Sequence, residues 1–279
     1  MKKTSNFVFI IIAFLLVNYS CENNNTNNII NNISDSVPTK SVETYEKAKL
    51  IFYSLPSPVE TAMLIETAEI EFNKDVLNPT SKVSSYVTTT EQAFNLGVYS
   101  ADLSYISLFN QQETIISYLA VSKKLTEELK IFDVINDSII QVIKDNVHDK
   151  NKILNVISET FMTSSAYLEE NDRGETAALI VSGGWIEGLY LSVSLVGESV
   201  DDNPNLVEII FEQQLSLEDL IGLLEIYSEN KDIELLLIQL KELKVIYQKL
   251  QEPIEQNKFN ILSDKVKEIR MGFCKIKQI

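Results

Sequence analysis

From about residue 58 to the end of the chain, apolar side chains recur at steps of three and four, the spacing of one face of an α-helix. Ile233, Leu236, Leu240, Leu243, Tyr247 and Leu250 form one such stripe. Leu262, Val266, Ile269, Phe273 and Ile276 form a second, and Ile115, Tyr118, Leu125 and Leu129 a third. Period-two alternation is scarce; only the apolar run Leu50 to Leu55 leaves an extended segment open. The pattern predicts an all-α, multi-helix bundle of nine or ten helices, near 58–72, 90–109, 111–130, 134–147, 150–170, 174–197, 205–214, 217–228, 231–251 and 262–276. Ser57-Pro58-Val59-Glu60 is a helix start: Ser57 caps, Pro58 suits the first turn, and Glu60 reaches back as the third residue of a capping box. Asn110 with Glu113 and Thr89 with Gln92 repeat that logic, and Asp149 and Ser263 are further N-cap candidates. Breaks fall at Asn78-Pro79, Asn171-Asp172, Asp201 to Pro204 and Pro253. No repeat of fixed period marks a solenoid.

The N-terminus reads as an address. Lys2 and Lys3 precede Phe7 to Val17, eleven unbroken apolar residues. That run suits the hydrophobic stretch of a signal peptide and falls short of the roughly 20 residues that span a bilayer core. It ends in Asn18-Tyr19-Ser20-Cys21, which resembles the lipobox of bacterial lipoproteins, in the relaxed form common in Bacteroidetes. Asn18 departs from the Leu usual at that place. The resemblance implies cleavage after Ser20 and acylation of Cys21. One acyl chain gives only marginal membrane binding, whereas two or more hold firmly. Residues 21–41 then form an Asn-rich stretch too poor in large side chains to build a core. About 20 flexible residues reach on the order of 25 Å, which suits a tether. Glu22 stands alone after Cys21, without the acidic cluster that directs some such lipoproteins to the cell surface, so the periplasmic side of the outer membrane is favoured. Asp35-Ser36-Val37 matches the short O-glycosylation sequon of the same phylum. The domain organisation expected is therefore a signal peptide 1–20, a flexible tether 21–41 and one helical domain 42–279, with the turn at 201–205 as the place for any internal boundary.

The charge narrows the partners. Twenty-four basic residues face 40 acidic ones, a net −16, and losing Lys2 and Lys3 with the signal peptide takes this to −18. Such a chain repels phosphate backbones and anionic lipid, so nucleic acid is not an expected partner. The imbalance is uneven: residues 258–279 hold Lys258, Lys265, Lys267, Arg270, Lys275 and Lys277 against Asp264 and Glu268, leaving the last stretch at +4 on a body at −22. The C-terminal helix is expected to dock on that body through its apolar stripe. With Cys21 acylated, Cys274 has no partner for a disulfide, so stability rests on the core.

Catalytic motifs are scarce. His148, the sole histidine, has Asp145 three residues before it, but a di-iron bundle needs two carboxylate-x-x-His units and two further carboxylates. His148 therefore reads as a solvated residue near a helix end. Ser228-Glu229-Asn230-Lys231 matches S-x-x-K inside a polar turn, a chance-level match. There is no G-x-S-x-G, no phosphate-binding glycine loop and no calcium loop. Neither metal nor cofactor is expected.

Two segments stand apart, Leu96 to Tyr105 and Ser182 to Tyr190. Each places small residues, aromatics and one carboxylate inside an apolar helix. Ala93, Gly97, Ala101 and Ser104 fall on one stripe, and Gly184, Gly188 and Ser192 on another. Glycine costs a helix interior about 1 kcal/mol relative to alanine, so close backbone packing is the natural offset; a turn at Gly183-Gly184 is the rival. Asp102 shares an inward face with Phe94, Val98, Ala101, Tyr105 and Phe109, which predicts a buried carboxyl beside Glu187 or tyrosine hydroxyls. With Leu55 to Pro58, these segments resemble uncharacterised Bacteroidetes lipoproteins over roughly residues 45–250, a resemblance that implies an all-helical fold and carries no activity. The expected function is a non-enzymatic interaction or scaffold module held at a membrane through Cys21, with an envelope protein or a small ligand as partner. The alternative is a ligand-binding or hydrolytic protein with a pocket at Tyr99, Asp102, Tyr105, Trp185, Glu187 and Tyr190.

Overall fold

The computed structural model describes residues 39–131 and 136–274. The signal peptide, Cys21 and the tether up to residue 38 lie outside them. Among the described residues there are ten α-helices and no strand. They are α1 (Thr39–Ser54), α2 (Pro58–Thr67), α3 (Thr89–Leu108), α4 (Gln112–Glu128), α5 (Asp137–Asp145), α6 (Lys150–Glu170), α7 (Gly174–Leu195), α8 (Pro204–Glu225), α9 (Lys231–Tyr247) and α10 (Gln256–Cys274). From Glu43 on, the chain forms one compact unit.

α3 and α7 cross at its centre. α2, α4, α6 and α10 pack on α3; α2, α6, α8 and α10 pack on α7; α9 closes the bundle against α8 and α10, and α5 rests on α6. α7 is buried on nearly every side, as a helix apolar all round must be. Among the described residues it is the helix long and apolar enough to cross a membrane, yet 83% of its apolar stretch is buried inside the fold.

The glycines explain the crossing. A Cβ on Gly97 would lie 1.9 Å from the carbonyl oxygen of Ile180, and one on Gly183 would lie 1.8 Å from that of Phe94. α3 and α7 therefore touch backbone to backbone, and α7 runs straight through Gly183-Gly184 with no turn. The expected stripe is corrected in one respect. Gly184 and Gly188 face mainly α2, their Cβ positions 3.1 Å from Pro58 Cγ and 2.6 Å from Thr61 Cγ2.

Other boundaries shift for local reasons. Leu50 to Leu55 is not extended: α1 runs to Ser54, burying Ala48 and Phe52 at helical spacing, and its first turn takes up the last three positions assigned to the tether. The Ser57–Glu60 capping box forms as read, Ser57 Oγ accepting from Glu60 N at 3.2 Å and Glu60 Oε2 from Ser57 N at 2.7 Å. At α3 the box sits one residue earlier, on Thr88 and Glu91. Asn110 adopts a left-handed φ of 55° and does not cap α4, whose N-cap Gln111 makes no side-chain capping bond and turns its amide back to Phe109 O. Asp149 caps α6, but Ser263 lies inside α10, which starts at Gln256. α2 ends at Thr67 because Glu69 turns left-handed, at φ 54°. The helices expected at 205–214 and 217–228 are one, α8. Ser216 sits in its middle with its hydroxyl satisfied by Gln213 O and by the Trp185 indole, so it does not break the helix.

α10 docks on the body. Phe259, Leu262, Val266, Ile269 and Cys274 are buried, and half-buried Phe273 stacks on Phe94 with ring centroids 4.5 Å apart. Lys265 bonds Glu242 of α9 at 2.6 Å.

A candidate functional site at the helix crossing

Asp102 on α3 and Glu187 on α7 meet below the glycine contact, each with no exposed surface. α10 supplies the third member, Arg270, which is 3% exposed. Its Nε donates to Glu187 Oε2 and a terminal nitrogen to Oε1, both at 2.6 Å, a two-pronged pairing suited to the planar guanidinium. The same terminal nitrogen reaches Val76 O at 3.4 Å. The ring of Tyr190 covers the guanidinium, 3.8 Å from its carbon to the ring centroid, a cation–π contact.

The segment between α2 and α3 roofs this trio. Asn78 N donates to Asp102 Oδ2 at 3.0 Å. Tyr118 of α4 donates to Asn78 O at 2.8 Å, and Tyr99 to Pro79 O at 2.9 Å. Asn78 Nδ2 donates to the Tyr86 hydroxyl at 3.1 Å, and that hydroxyl donates to Cys274 O, at the end of α10, at 3.3 Å. Asn95 Nδ2 donates to Phe273 O at 3.0 Å. One network of tyrosines and asparagines thus ties α3, α4, α10 and the connecting segment together. Two of its buried oxygens, Asn78 Oδ1 and Asp102 Oδ1, have no donor.

Burial dominates the electrostatics. It raises the Asp102 carboxyl well above the usual carboxylate range, and the Glu187 charge adds to the effect against the lowering by Arg270 and by Asn78 N–H. Burial works against the charge on Arg270, but Glu187 outweighs it and the guanidinium stays firmly protonated. Burial also pushes the Tyr86 hydroxyl up to about 12 and raises Tyr99, Tyr105, Tyr118 and the Cys274 thiol.

The six residues singled out by sequence divide accordingly. Asp102, Glu187 and Tyr190 converge on Arg270. Tyr99 and Tyr105 flank Asp102 but turn their hydroxyls to the connecting segment, Tyr105 accepting from Asn73 N at 3.0 Å. Trp185 faces α8, its indole donating to Ser216 Oγ at 2.9 Å. They do not gather around an open pocket. A cleft of about 490 Å³ lies on the outer side of the roof, lined by Lys74, Asp75, Leu77, Pro79, Glu113 and Tyr118 among others. His148 is exposed, beside Gln112.

Sequence reading missed Arg270, Asn78, Tyr86 and Asn95. For Arg270 a signal exists: the chain has two arginines among 24 basic residues, and this one adjoins the apolar stripe of α10. Searches against protein-family models, characterised proteins and solved structures return no match.

Proposed function

We propose that this chain is a lipoprotein of the bacterial cell envelope, a non-enzymatic helical interaction or scaffold module tethered through lipidated Cys21. The apolar run Phe7–Val17 ending in Ser20-Cys21, and the Asn-rich stretch behind it, support the anchor. The observation that carries the non-enzymatic reading is the burial of Asp102 and Glu187. A general acid or nucleophile must reach a substrate, and within the fold Glu187 spends both oxygens on Arg270 while Asp102 is roofed by Asn78. Their partners lie within the fold: Glu187 ties α7 to α10 through Arg270, and Asp102 ties α3 to the segment that carries Asn78. The net −18 of the mature chain favours a protein partner over nucleic acid.

The test is fractionation with intact-mass analysis. Wild-type protein should pellet with outer membranes and carry an acyl mass on Cys21, and Cys21→Ala should appear in the soluble fraction. Unmodified Cys21 in the wild type, or a Cys21→Ala variant that still pellets, overturns the anchored reading.

A further inference from the structure

The buried trio has a charge count that does not close. Glu187 and Arg270 neutralise each other through two short hydrogen bonds. Asp102 is left over. As an anion it would sit with no exposed surface, one oxygen on a single backbone N–H and the other, Oδ1, with no donor at all. A buried charge without a partner is strongly disfavoured, and the group takes up a proton instead. A proton on the carboxyl removes the charge and gives Asp102 a hydrogen to donate toward Glu187, which lies within side-chain hydrogen-bonding reach.

We propose that Asp102 is a built-in proton-binding site: at neutral pH the folded protein holds one proton there that the unfolded chain does not, so acid strengthens the fold and alkali loosens it. The groups facing Asp102 leave no other assignment. α3 contributes Tyr99 and Tyr105, the connecting segment Asn78, α4 Tyr118, α7 Glu187, and α10 Arg270 and Cys274; Tyr86 and Tyr190 stand behind them, on Asn78 and Arg270. Burial keeps Tyr86, Tyr99, Tyr105, Tyr118 and Cys274 neutral in this range, and Glu187 is already committed to Arg270. The sign follows from linkage. The folded-state affinity for the proton is raised, so the stabilisation is complete below the ordinary carboxylate range and is lost as pH climbs through the raised value. Over that window the folding constant falls about tenfold per pH unit for one proton. This inference does not depend on the envelope reading.

Asp102→Asn imitates the protonated acid and supplies the test. Urea unfolding of the mature wild type and the variant should give folding constants whose ratio, variant to wild type, grows with pH above the ordinary carboxylate range, by about tenfold per unit until the raised value is passed. A ratio that does not change with pH overturns the proposal. Should the variant not fold, the wild type alone decides through carboxyl-¹³C-aspartate NMR. One aspartate carboxyl should keep its protonated chemical shift at neutral pH; a spectrum in which every aspartate is ionised overturns the proposal.

Discussion

At the α3–α7 crossing the backbones touch at Gly97 and Gly183, and the space beneath is filled by Asp102, Glu187 and Arg270. α8 and α9 also pack together, and what they bury is large and apolar: Leu217, Leu220 and Leu224 on one helix, Ile233, Leu236 and Leu240 on the other. Glu218–Lys244 and Glu225–Lys241 tie their outer edges. The contrast teaches where this fold can yield. An interface of large apolar side chains adjusts when one is trimmed, and its exposed ion pairs are screened by water. An interface of bare backbone has no slack, and sealed charges cannot borrow solvation when a partner is lost.

The largest effect is expected of Gly183→Leu. A side chain there begins 1.8 Å from Phe94 O, so α3 and α7 must part, and the variant should fail to give a cooperative unfolding transition by circular dichroism. A wild-type melting curve would mean that the crossing is not close-packed. Arg270→Met comes next. It leaves Glu187 buried and unpaired, which should lower stability by about 3–5 kcal/mol in urea unfolding. A loss below about 1 kcal/mol would place water in the trio. Smallest is Lys241→Ala, whose partner Glu225 is as exposed as the lysine; chemical denaturation should register less than about 1 kcal/mol. A larger loss would show that the α8–α9 edge is not the tolerant one.

The same contrast governs what could be read from sequence. Leucine stripes announce helices, and nearly every helix expected from them is present. Small-residue stripes announce the close approach, and the apolar face of Phe94, Val98, Ala101, Tyr105 and Phe109 puts Asp102 inside, with Glu187 or tyrosine hydroxyls as its expected neighbours. The split of α8 failed because serine in a helix is ambiguous until its partners are known, here Gln213 and Trp185. α1 was hidden by the charges of Glu46, Lys47 and Lys49 around Ala48 and Phe52. Arg270 is one of six basic residues within 258–279, and its neighbours in sequence do not set it apart from the lysines. The roof over Asp102 was beyond reach for a different reason: it is made largely of backbone groups, Val76 O, Asn78 N and O, and Pro79 O. Every sequence owns such groups, so no residue type betrays them, and the aperiodic segment that carries them predicts no geometry.

The carboxylates at the crossing are sealed inside the fold. Cys274 reports on this directly, because it has no exposed surface and its carbonyl closes the network around Asn78. In a Cys21→Ser background it is the sole thiol. Its modification by a thiol reagent at neutral pH, followed by mass and compared with the urea-unfolded chain, measures access to the network. Native protein should be labelled only as fast as it unfolds. Labelling of the native protein at the rate of the unfolded chain would contradict this and place Asp102 and Glu187 in an open site.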